Sequence, residues 1–160
     1  MTPTNQQGGK SMIFRFTCDA VNESALVPVL RQLAVIPLKE FGVVEEDVDR
    51  VATIISEGCS NVVKYAYEGR AEYAISMQYF AERAIIGISD GGRGYDEDGI
   101  SAPVPGQIGG YGLSLIRKSA DALHMKSRPG GGTVIVAEVR LSYKDEESRN
   151  RALALDGAVR

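Results

Sequence analysis

A two-layer α+β sandwich, with helices packed on one face of a mixed, mainly antiparallel sheet, is the architecture this sequence predicts. Helical apolar spacing fills two long segments in the first half of the chain. Four alternating segments follow as two hairpins, YAISMQYF with RAIIGISD and HMKSRP with GTVIVAEVRL. The order strand, helix, helix, two strands, helix, two strands groups like elements instead of alternating them, which favours helices on one side of an antiparallel sheet.

The elements follow in order. SMIFRFTC (11–18) alternates as a half-buried strand. Asn22 or Ser24 can cap a helix whose apolar positions include Leu26, Val29, Leu30, Leu33 and Ala34, and Pro37 is expected to end or kink it. Glu45 to Tyr67 is the longest helical signal, with acids in its first turn, Gly69 past its end, and Val51, Ile55, Gly58, Val62 and Ala66 on one stripe. The first hairpin ends at Asp90. Residues 91–111, rich in Gly and Pro and without apolar periodicity, read as a loop. GLSLIRKSADAL reads as a helix, and the second hairpin turns through Gly130, Gly131 and Gly132. The charged tail KDEESRNRALALDGAVR is expected to be a short helix outside the core.

With 160 residues and ordinary apolar content, the chain is expected to form one domain over 11–142, with a disordered arm at 1–10 and a charged extension at 143–160. Its 18 basic and 21 acidic residues give a net charge of -3, without the clustered basic excess of a nucleic-acid surface. Cys18 and Cys59 lack the spacing of a zinc site or disulfide framework, so a reducing, cytoplasmic location is expected. No apolar run approaches the roughly 20 residues that span a bilayer, and MTPTNQQGGK has no signal-peptide core, so no membrane partner is expected.

Three places carry chemistry. Glu57 and Asn61 stand one helical turn apart and flank the apolar stripe, where a carboxylate and a carboxamide could meet a hydrated magnesium ion held between helix and sheet. Asp90 ends an apolar strand, and Gly92 and Gly94 then leave the backbone open to a ligand. An ionised carboxylate only accepts hydrogen bonds, so Asp90 would favour a donor such as the adenine amine. In GQIGGYGLSLIRK, glycines precede a helix whose free N–H groups could bind phosphate. Each feature also has a plain reading: solvated helix rim, turn, and ordinary capping.

Other signatures fail. A calcium loop would need acid or amide at Gly92 and Gly94, GGYGLS is not G-x-G-x-x-G, and GGKS has Thr4 where a P-loop needs glycine. His124, the only histidine, sits at a helix-to-strand junction without a triad partner and reads as structural. Cys59 reads as core and Asp96, Glu97 and Asp98 as a solvated charge run.

Taken together, E-x-x-x-N on a helix (Glu57, Asn61), D-x-G-x-G after a strand (Asp90, Gly92, Gly94), G-x-G-L opening a helix (Gly110, Gly112, Leu113) and G-T opening the last strand (Gly132, Thr133) resemble the GHKL, or Bergerat-fold, ATPases. SEGCSNVVKYAYEG and GGYGLSLIRKSADAL look most like the bacterial anti-sigma-factor serine kinases, over about residues 11 to 142. The resemblance implies ATP and Mg²⁺ as cofactors, Glu57 as general base, Asn61 as the Mg²⁺ ligand, and Asp90 on the adenine amine. Gly92, Gly94, Gly109, Gly110, Gly112 and Leu113 would line the nucleotide, with Thr133 at its adenine end. It further implies a sigma factor and an anti-anti-sigma (STAS-type) protein as partners, and a homodimer.

Two departures stand out: Tyr65 occupies a position where the family often has histidine, and no Lys or Arg occurs between Tyr95 and Tyr111. Lys64 or Arg117 would then have to supply the missing charge. The departures leave a second expectation, a nucleotide-gated protein-binding module with little phosphotransfer. A third, the catalytic piece of a sensor histidine kinase, lacks an upstream helix with a phosphoacceptor histidine.

Overall fold

The computed structural model describes residues 12–66, 72–90, 112–127 and 132–157. Among them the elements run β1 (Phe14–Val21), α1 (Val27–Glu40), α2 (Glu45–Asn61), β2 (Glu72–Tyr79), β3 (Arg83–Asp90), α3 (Gly112–Ser119), β4 (Ala122–Ser127), β5 (Thr133–Arg140) and α4 (Glu146–Gly157). The five strands form one sheet in the order β1-β2-β3-β5-β4, every pair antiparallel. The expected two-layer α+β sandwich is what forms, with an antiparallel rather than mixed sheet.

Strand alternation decides which face is covered. On β2, Tyr73, Ile75, Met77 and Tyr79 are buried; on β3, Ala84, Ile86, Ile88 and Asp90; on β5, Thr133, Ile135, Ala137 and Val139. Against them α2 sets Val48, Val51, Ile54, Ile55 and Gly58. A Cβ at Gly58 would collide with Cδ1 of Ile88, so this residue lets the α2 backbone settle onto β3. The expected stripe of Val51, Ile55, Gly58 and Val62 is buried as read. Its regular α-helix ends early, however: after Asn61 the chain widens into a π-helical turn over Val62–Ala66. Such turns insert one extra residue and leave no apolar-periodicity signal.

Several boundaries differ from expectation. β1 starts at Phe14 and continues to Val21, because its eight residues pair throughout with β2. Neither Asn22 nor Ser24 caps α1: Leu26 stands at its N-cap without a side-chain bond, and Glu23 instead caps the short 3-10 turn Ser24–Leu26 before it, its carboxylate accepting from the N–H of Ala25. Pro37 lies inside α1, near its end, where the missing N–H removes a single bond while Leu38 continues the buried face. The buried face of α1 is Leu30, Ala34, Val35 and Leu38; Val29 (52% exposed) and Leu33 (46%), expected inside, point outward with Ile36 (51%). α3 stops at Ser119, and Asp121, just before β4, is already held to β5: its carboxylate accepts from the N–H of Arg140 at 2.7 Å. His124 consequently sits within β4, exposed, and not at a junction.

The C-terminal segment forms α4 and packs on the rest of the fold. Asp145 caps it through the N–H of Ser148 (2.7 Å), Ala152 is fully buried, and the Asp156 carboxylate accepts from the N–H of Ala81 at 3.1 Å. Arg151 donates to the carbonyl of Glu40 (2.7 Å) and stacks over Phe41. Tyr143 joins the hydroxyl of Tyr79 (2.7 Å) to the carbonyl of Ala81. No helix among the described residues is long and apolar enough to cross a membrane.

Candidate functional site

One end of α2 is tied to the chain just past β5 and the other rests on β3, and this fixes where its polar residues lie. At the N-terminal end, Val44 N–H donates to the carbonyl of Ser142 (2.9 Å), and the Asp47 carboxylate accepts from the N–H of Ser142 (2.8 Å), just past the end of β5. Gly58, near the other end, rests on Ile88, whose cross-strand partner is Ile135. The C-terminal turn of α2 therefore lies over the last residues of β3 and the first of β5.

Glu57 and Asn61 occupy that turn; Asn61 is buried, at 7% exposure, and Glu57 half-buried. Facing them is the first residue of α3. A Cβ on Gly112 would stand 2.9 Å from Oε2 of Glu57, 3.1 Å from Oδ1 of Asn61 and 3.3 Å from Nδ2. The E-x-x-x-N pair and the opening of α3 are thus one locus, at the end of a helix where N–H groups lack intrahelical partners. Leu113 packs against the core beside it, and Ile116 is fully buried under α2.

One inward-facing position beyond the Ile88 and Ile135 pair are Asp90 and Thr133, which are direct cross-strand partners. Both are buried, at 9% and 3%. Gly132 has φ 100°, a conformation that favours glycine, and it turns the chain into β5 so that Thr133 faces inward. Asp90 and Thr133 lie on the helix side of the sheet, at the same end as Asn61. The structure so sets Glu57 and Asn61 against Gly112, with Leu113 next in α3, and pairs Asp90 with Thr133 at the same end of the sandwich. Gly92, Gly94, Gly109 and Gly110, with Asp96, Glu97 and Asp98, lie outside the described residues. Lys64 and Arg117 are exposed, and Arg117 falls in the last turn of α3, about 7.5 Å along the axis from Gly112.

The donor set suits a hydrated oxygen-seeking cation: one carboxamide and one carboxylate converge beside the first turn of α3, while no three His, Cys, Asp or Glu side chains cluster among the described residues. Such a site relies on water and ligand phosphates for the rest of the shell.

Tyr73 is a neighbour that the motifs do not reveal. It is the β2 partner of Asp90, 3% exposed, and among the described residues its hydroxyl meets the weakly bonding thiol of Cys59 without a hydrogen bond of good geometry. Strand register is the only signal that could have found it. Burial pushes the Cys59 thiol up to about 12, partly offset by Tyr73, so the sulfur stays protonated. Arg50 is a second such residue. It donates to the carbonyl of Ser119 (2.9 Å), to Asp47 (3.0 Å) and to Asp121 (2.7 Å), locking the far end of α3 to α2.

Comparison with known proteins adds to this geometry. The profile of the histidine kinase-like ATPase domain matches residues 20–137. A protein described as serine-protein kinase RsbW, from Halalkalibacterium halodurans, is 27% identical over 134 residues, spanning 78% of this chain and 81% of that protein. A crystal structure of the RsbU and RsbW domains of a Mycobacterium tuberculosis protein superposes with a TM-score of 0.61 at 17% identity, over 80% of this chain and 32% of that one. The last likeness speaks to the fold, and this chain spans about a third of that protein's length.

Proposed function

The chain belongs to the histidine kinase-like ATPase domain family, and from that premise we propose that it is an ATP-dependent anti-sigma-factor serine kinase. In this reading it binds a sigma factor and phosphorylates a serine of an anti-anti-sigma partner. The observation that supports it is the close approach of Gly112 to both Glu57 and Asn61, which in this reading would set a base and an ion ligand beside a phosphate-binding helix end. The similarity to the RsbW kinase supports the choice of acceptor class.

Asp90 would accept from the exocyclic amine of adenine, with Thr133 beside it, and this sets the base at the sheet end of the cleft. The triphosphate would then run toward the N-terminus of α3, where Gly112 leaves room and N–H groups are available. Asn61 would hold Mg²⁺ through its carboxamide oxygen; the ion, when bound, supplies charge neutralisation for the phosphates. Glu57 takes the proton of the acceptor serine. The serine oxygen attacks the γ-phosphorus in line, the bond to the β,γ-bridging oxygen breaks, and ADP leaves.

Phosphate from γ-labelled ATP should appear on serine of candidate anti-anti-sigma proteins with the parent chain. With Glu57→Ala, ATP binding should persist while transfer drops about 10²- to 10⁴-fold, the usual weight of a general base. Transfer by the variant at the parent rate would remove Glu57 from the role. A second reading, a nucleotide-gated binding module, is favoured by the absence of Lys and Arg between Tyr95 and Tyr111. It calls for a nucleotide-dependent complex with no labelled serine.

A further inference from the structure

Tyr73, Asp90 and Thr133 are register partners across β2, β3 and β5, and all three are buried on the helix side of the sheet. They form a polar row at one end of that face; the next inward row over the same strands is Ile75, Ile88 and Ile135. An ionised Asp90 can only accept hydrogen bonds, while the hydroxyls on either side of it can donate. The second inward tyrosine of β2 shows what such a residue needs. Tyr79, at the other end of the strand, is fully buried, and its hydroxyl meets that of Tyr143 at 2.7 Å. The Tyr73 hydroxyl is enclosed as well, yet among the described residues it has only the Cys59 thiol, a weak partner, without good hydrogen-bond geometry. Phenylalanine would fill the same space without the enclosed oxygen, and a buried hydroxyl left unsatisfied destabilises a fold. Because Cys59 lies in the last turn of α2, the Tyr73 ring reaches from the strand beside Asp90 to that turn.

We infer that Tyr73 is a specificity residue of the nucleotide pocket, whose hydroxyl donates to a ring nitrogen of adenine next to the amine that Asp90 accepts. The inference rests on the adenine placement proposed above and adds to it a residue outside the four sequence motifs. Adenine carries its amine between two ring acceptors, N1 and N7, so that edge of the base presents acceptor, donor, acceptor. The row Tyr73, Asp90, Thr133 presents donor, acceptor, donor, at the spacing of adjacent strands, about 4.8 Å. With the amine over Asp90, the two hydroxyls flank it, and each reaches its ring nitrogen directly or through one bridging water. Binding then supplies the partner that the Tyr73 hydroxyl lacks among the described residues.

The test is calorimetric titration of Mg-ATP and of its 1-deaza and 7-deaza analogues into the parent and Tyr73→Phe, with thermal melts of both proteins. Tyr73→Phe should bind ATP about three- to tenfold more weakly, the weight of one neutral hydrogen bond. It should melt at the parent's temperature or above, because the oxygen it loses has no good partner in the free protein. The analogue without the nitrogen that Tyr73 faces should bind the parent more weakly by a similar factor, and should bind parent and variant alike. The other analogue should keep the difference between the two proteins, which closes a double cycle. Parent-level ATP affinity in Tyr73→Phe would overturn the inference and leave Asp90 in its place; with a lowered melting temperature it would assign the hydroxyl to the fold. An equal loss for ATP and both analogues would also overturn it, since the effect would then not run through a ring nitrogen. A parent that binds no ATP would remove the nucleotide site itself, and this inference with it.

Discussion

Gly112 is where the site is narrowest. Its space is defined by Glu57 and Asn61, and its backbone has no positive φ, so alanine is compatible with the helix and blocked only by the site. Gly112→Ala should therefore leave thermal stability unchanged or raise it by up to about 1 kcal/mol, the helix preference of alanine over glycine. ATP affinity should fall, by about tenfold or more, as the new methyl pushes the carboxylate or carboxamide away. Loss of both stability and binding would mean that Gly112 serves the fold. Cys59 gives a second check at this scale. Its raised pKa keeps the neutral thiol at neutral pH, and the fold contribution of that neutral form is lost only as pH rises above the ordinary thiol range, about 8.5. A thiol reagent at pH 7.5 should label the half-buried Cys18 in the native protein and reach Cys59 only on unfolding. The residues proposed for the pocket stand out in the sequence because glycine, acid and amide are chemically distinctive; Tyr73 does not, since its place beside Asp90 exists only through strand pairing.

Elements are held in place by groups that the sequence does not advertise. Arg50 reads as one more charge on a helix, yet it joins α2 to the end of α3 and the start of β4. Arg50→Ala should cost about 1–3 kcal/mol, a charged hydrogen-bond set in a partly exposed position. Asp121 links this cluster to pH. Burial alone would raise its pKa, but the Arg140 N–H and the Arg50 guanidinium outweigh that and hold the carboxyl below its usual range. A depressed carboxylate contributes stability above its unfolded pKa, about 3.9, and loses it as pH falls through the folded value. Urea midpoints should fall below about pH 4 in the parent, and Arg50→Ala should flatten that fall. A parallel acid dependence in parent and variant would detach Asp121 from Arg50. The expected inward positions of Val29 and Leu33 fail for a related reason: α1 is apolar around most of its circumference, so periodicity could not choose the face, and contact with α2 did.

At the scale of the whole molecule, the antiparallel sheet and its covering helices were readable because β2, β3 and β5 alternate cleanly between buried and exposed positions. The packing of α4 was not, because its sequence shows no clear apolar face and its anchors are single contacts made by Asp156, Arg151 and Ala152. The fold sets two groups at one end of the sandwich: Asp90 with its strand partner Thr133, and the last turn of α2 with the first residue of α3. If that end holds a purine triphosphate, Asp90 reads the base and the α2–α3 junction receives the phosphates. Calorimetric titration of Mg-ATP and Mg-GTP into the parent and into Asp90→Asn tests this most directly. The expected result is clear preference of the parent for ATP, with that preference lost in Asp90→Asn as the acceptor pair is disturbed. Equal affinity in all four titrations, or no binding in the parent, would contradict the account.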